Sequence, residues 1–128
     1  MKTDNIKIGD LHFEHVHWQK ELLFWEDEVK SFNNRLTEFS KRWTNKKVLA
    51  QLDHFQKQFN DHERVMNSLK CDVDAHETNI ATNDERGGDA INTVFTKYHF
   101  ALRERMEILR KVHANLKTDF FQFLSKYI

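Results

Sequence analysis

The sequence contains no proline, three glycines and one cysteine in 128 residues, and it lacks any apolar run near the 18 residues that a membrane span requires. Without proline, and with glycine confined to Gly9 and the Gly87–Gly88 pair, little interrupts a helix. A lone Cys71 cannot close an internal disulfide, which points to a reducing, cytoplasmic setting, and Met1–Asp10 lacks the apolar stretch of a signal peptide. Excess charge of one sign is missing too. Twenty Lys and Arg balance twenty Asp and Glu, so the broad positive field of a nucleic-acid binder is absent. One basic cluster, Lys41, Arg42, Lys46 and Lys47 beside Trp43, is too short to neutralise phosphates over a useful site. No Gly-x-Ser-x-Gly elbow occurs, and Gly87–Gly88 lacks the lysine and hydroxyl of a nucleotide cradle. Asp72 and Asp74 disfavour a thiolate at Cys71. The expectation is a protein that is not an enzyme and uses no organic cofactor.

What is present is helical. With 39% hydrophobic and 31% charged residues the chain can build one core, a single domain over residues 1–128. From Leu11 the sequence reads His15, Trp18, Leu22, Trp25, Val29, Phe32, Leu36, Phe39, Trp43, in alternating steps of four and three, a sustained heptad seam. Asp10 is placed as the cap of this helix. After a turn at Thr44–Asn45 a second seam runs Val48, Leu52, Phe55, Phe59, His62, Met66, Leu69, Val73, His76, Ile80. The stretch Ala81–Asp89 holds two glycines with Thr, Asn and Asp and marks the clearest break, with Asp89 capping a third helix. That helix carries Phe95, His99, Leu102, Met106, Leu109, His113, Leu116, Phe120, Phe123 and Tyr127. A competing stripe on it contains Arg105 and no histidine. The predicted fold is all-α: an antiparallel up-down-up three-helix bundle with coiled-coil heptads, helices at about 10–43, 46–80 and 89–127.

The lower halves of the first and third helices carry apolar residues beyond what one seam needs. Phe13, Val16, Leu23 and Phe24, with Ile91, Val94, Tyr98 and Ala101, form a predicted contact surface, and surplus apolar surface marks association. This makes a homodimeric interaction or scaffold module, with a protein partner still to be named, the first functional expectation.

Five of eight histidines, His15, His62, His76, His99 and His113, fall on the seams, where chance would put about two. His15 lies one step inside Leu11 and His76 one step inside Ile80, so the two sit at one level of the bundle. Asp72 precedes His76 by four residues, and Glu14 and His17 form a Glu-x-x-His spacing. Carboxylates and imidazoles converging inside a bundle build di-iron and related sites. The second expectation is therefore a metal-binding bundle, di-iron or hemerythrin-like, holding a transition metal with His15, His76, Asp72 and Glu14. Against it, the ferritin-like pattern needs a second Glu-x-x-His, and no His-x-x-x-His occurs. The competing structural reading makes the seam histidines neutral core residues that fix register, with stability falling below about pH 6.5.

The stretch LHFEHVHWQKELLFWEDEVKSFNNRLTEF, followed by VLAQLDHFQKQF, resembles an uncharacterised family of small bacterial all-helical proteins. The resemblance implies a helical fold and a bacterial, cytoplasmic setting; no activity is assigned to that family, so no functional residue is carried over.

Overall fold

A computed structural model describes residues 8–85 and 93–127, with side chains for 9–80 and 94–127. Three helices fill it: α1 (Ile8–Ser40), α2 (Lys46–Glu85) and α3 (Thr93–Tyr127). They pack side by side as an all-α three-helix bundle, with no strand among the described residues. At 1.5 Å per residue they are roughly 50–60 Å long. No described helix is long and apolar enough to cross a membrane.

Cross-helix pairs fix the directions. Between α1 and α2 the partners run oppositely: His15 with Glu77, Gln19 with Asp74, Asn33 with Glu63. Between α1 and α3 they rise together, one heptad at a time: Glu14 with Arg103, Glu21 with Arg110, Glu28 with Lys117. The bundle is thus up-down-up, and this ladder sets the register of α3 on α1.

The seams are the core. Every α1 position from Leu11 to Phe39 named above is buried, as is every α2 position from Val48 to Ile80. On α3 the histidine-bearing stripe faces inward, from His99 through Met106 and His113 to Phe123. Rings dominate the end nearest the α1–α2 turn, where Phe59 meets Phe120 edge-on at 5.0 Å and Phe55 lies 5.2 Å from Phe123. Asn45 caps α2, its Oδ1 accepting from the amides of Lys47 (2.8 Å) and Val48 (3.3 Å).

Three boundaries differ from the sequence reading. Helix α1 ends at Ser40, because Lys41 and Arg42 close backbone turns onto Glu38 and Phe39; Trp43 lies beyond the helix yet still packs on the core. Helix α2 does not stop at Ile80 but continues to Glu85, since Ala81–Glu85 holds neither proline nor glycine to break it. Asp10 is not a cap. It lies inside the first turn of α1, where a carboxylate suits the positive end of the helix dipole. The expected start of α3 at Asp89, and Ile91 of the apolar patch, fall outside the described residues.

Candidate metal centre

One core layer takes His15 from α1, His76 from α2 and His99 from α3, and their exposures are 1%, 1% and 0%. One ring nitrogen of each lies within 4.8 Å of one on each of the other two. Ring centroids are 5.1 Å apart for His15 and His76, 5.0 Å for His15 and His99, and 5.7 Å for His76 and His99. Trp18 stacks on His99 at 5.0 Å, closing one side, and Tyr98 meets His76 edge-on at 4.9 Å.

Two carboxylates hold this layer from outside. Nδ1 of His15 donates to Oε1 of Glu77 (2.6 Å), and Nε2 of His99 donates to Oε1 of Glu14 (2.6 Å). Burial works to raise the Glu14 carboxyl, but the hydrogen bonds and charges of Arg103 and His99 outweigh it and keep it below the usual carboxylate range. Glu77 is likewise depressed: burial raises it, and His15 and His12 overcome that. Both carboxylates are therefore ionised and can only accept. Burial lowers His99 by more than Glu14 raises it, so the ring is neutral near pH 7. With its proton committed to Glu14, Nδ1 of His99 is a bare lone pair, and it faces Nε2 of His15 at 3.1 Å. Nε2 of His15 therefore lies within hydrogen-bond reach of an acceptor. The third ring is buried with Nε2 lacking any hydrogen-bond partner. Burial, then the charges of His15 and His99, push His76 down to about 4. The layer thus turns inward the bare Nδ1 of His99 and the unpartnered Nε2 of His76, beside Nε2 of His15.

Two heptads along the bundle a second histidine layer solves the same problem differently. Nε2 of His113 donates to Glu28 (2.8 Å), and its Nδ1 lies 2.9 Å from Nε2 of His62, which donates to it. Each proton has a place, and Trp25 stacks on His113 at 5.3 Å as Trp18 does on His99. At this level α1 supplies Val29 where the first layer has His15, and Glu63 accepts from Asn33 rather than from an imidazole. Between the two layers lies an apolar one of Leu22, Leu69 and Met106.

Of the four residues expected to bind metal, the structure brings His15 and His76 together edge-on and sets Glu14 behind His99. Asp72 is elsewhere: its carboxylate takes Nη1 of Arg105 at 2.7 Å, on the flank of α2 that meets α3. Nor does the Glu14–His17 spacing build a site, because His17 is exposed and stacks on Phe13. Sequence reasoning missed His99 as the third ring and Glu77 as its counterpart to Glu14. A signal existed, since His62 to His76 and His99 to His113 are both two heptads apart, so pinning one pair pins the other. Of the expected contact surface, Phe13 and Val94 are each 72% exposed, Leu23, Phe24, Tyr98 and Ala101 are exposed, and Val16 is half-buried.

No protein-family model, curated protein or solved structure matches this chain. The functional reading therefore rests on the site itself.

Proposed function

We propose that this protein is a metal-binding helical bundle in which His15, His76 and His99 hold one transition ion. The observation behind the reading is the convergence of three buried imidazoles from three helices, two of them oriented by ionised carboxylates on their outer nitrogens. Metal-ligating histidines are held by such outer carboxylates, which fix the tautomer and raise ligand basicity. An ion coordinated at about 2.0–2.1 Å would draw its ligand nitrogens to roughly 3.3 Å from one another, a small side-chain adjustment here. All-imidazole ligation suits zinc, copper, nickel or cobalt rather than magnesium or calcium. It also differs from a di-iron centre, which needs carboxylates as direct ligands, whereas Glu14 and Glu77 are engaged behind the rings. The centre is closed to solvent, so the reading is of binding without a catalytic step.

The test is a zinc titration of untagged, chelator-stripped protein. One equivalent per chain is expected, with a rise in Tm corresponding to about 2.7 kcal/mol when free zinc is a hundredfold above Kd. His76→Ala should stay helical and lose the binding. Less than about a tenth of an equivalent, with no thermal shift, would overturn the reading.

A second reading, self-association as a cytoplasmic interaction or scaffold module, is favoured by the exposed apolar side chains on the outer faces of α1 and α3, above all Phe13, Phe24 and Val94. Val94→Glu with Tyr98→Glu should lower a dimer's mass to that of a monomer in light scattering; an unchanged mass would contradict it.

A further inference from the structure

A centre whose ligands are at most 1% exposed cannot be filled from bulk solvent without a path, and polar side chains are the only ones that can pass a dehydrating ion inward. Among the described residues two hydrogen-bonded paths leave the three rings, and they differ in kind. The path toward α3 runs from His99 to Glu14 and stops at Arg103, whose Nε (2.9 Å) and Nη2 (2.7 Å) clamp both oxygens of that carboxylate. A permanently charged guanidinium stands at that mouth, and a cation would have to displace it against its own charge. The path toward α2 runs from His15 to Glu77, whose second oxygen meets Nδ1 of His12 at 2.5 Å. His12 is 60% exposed and Glu77 29%. Both are groups that themselves ligate transition ions, and among the described residues no fixed positive charge is paired with either carboxylate oxygen. Asp74, which accepts from Gln19 across the same α1–α2 face, adds negative charge nearby.

We infer that His12 and Glu77 form an outer, solvent-facing acceptor site through which a divalent transition ion reaches the three-histidine centre. The inference rests on the reading of His15, His76 and His99 as that centre. An ion first held by the Glu77 carboxylate and His12 lies against the outer edge of His15. Rotation of that ring, the one ligand connecting the outer site to the inner one, then lets it pass inward. No bond is made or broken in the protein other than metal–ligand bonds and hydrogen bonds. Arg103 keeps the opposite face closed, so exchange is one-sided.

The test compares the rate of Zn²⁺ uptake by the metal-free full chain, read in a stopped-flow instrument as loss of signal from a chromophoric zinc indicator. His12→Ala touches only an exposed side chain and should leave the equilibrium Kd within about threefold while slowing both uptake and release about tenfold. His54→Ala removes an exposed histidine remote from the path and should match the parent rate. Glu77→Gln should slow uptake and also weaken binding, because it removes the support of a ligand. An unchanged uptake rate in His12→Ala would overturn the entry path while leaving the centre intact, as would equal slowing in His54→Ala. Failure of the parent protein to take up zinc at all would instead overturn the centre.

Discussion

At the residue scale the two histidine layers show how a buried imidazole acquires different roles from its neighbours. His62 and His113 form a chain in which each proton has one donor and one acceptor, ending on Glu28, whose other oxygen receives Lys117. His15 and His99 have a carboxylate at each outer end, and their inner nitrogens face each other at 3.1 Å beside the unpartnered Nε2 of His76. The first arrangement suits a core that must stay neutral; the second, on the proposed reading, offers a place for a cation. The neutral layer has a measurable cost in acid. Burial, reinforced by the charge of His113, pushes His62 down to about 4 from its ordinary value. The unfolded chain takes up a proton near pH 6.5 that the folded chain refuses until about pH 4. Stability from this group is therefore full above pH 6.5 and lost as pH falls toward 4, at about 1.4 kcal/mol per pH unit. In metal-free protein, His62→Asn should flatten the dependence of unfolding free energy on pH by about one proton between pH 6.5 and 4. Coincident slopes for variant and parent would show that His62 is not held neutral.

At the element scale, register comes from flanking pairs and stability from the seam. The Glu14–Arg103, Glu21–Arg110 and Glu28–Lys117 ladder repeats at one heptad and aligns α3 with α1. Such half-exposed pairs contribute little each, so Glu21→Ala should cost no more than about 1 kcal/mol. Phe59, fully buried and edge-on to Phe120, is different: Phe59→Ala should cost about 3–5 kcal/mol in denaturant titration. A loss below about 1 kcal/mol would mean that Phe59 does not anchor this end of the core. The same division explains what could be read from the sequence. The seams, the burial of five histidines and the levelling of His15 with His76 follow from heptad counting across a short turn, since Lys41–Asn45 leaves no freedom in how α2 begins. His99 could not be levelled this way, because the connection from α2 to α3 is longer and the third helix could start at several residues. Asp72 and Glu77 both flank the α2 seam, one on each side. Which flank meets α1 and which meets α3 depends on the hand of the bundle, and heptad periodicity carries no hand. Spacing to His76 therefore favours Asp72, while Glu77, on the flank that meets α1, is the residue that reaches His15.

At the scale of the whole molecule, the bundle divides into a ring-packed end near the α1–α2 turn and a histidine-bearing end beyond it. A buried polar layer weakens a core unless every member is satisfied, so the His15–His76–His99 layer is where a bound ion would add most to stability. Cys71, exposed on α2, has no part in the proposed binding. X-ray absorption at the zinc edge of the one-equivalent complex tests these points together. The account predicts a first shell of nitrogen or oxygen at about 2.0–2.1 Å with the outer-shell scattering of three imidazoles. A sulfur scatterer near 2.3 Å, or scattering from no more than one imidazole, would contradict it.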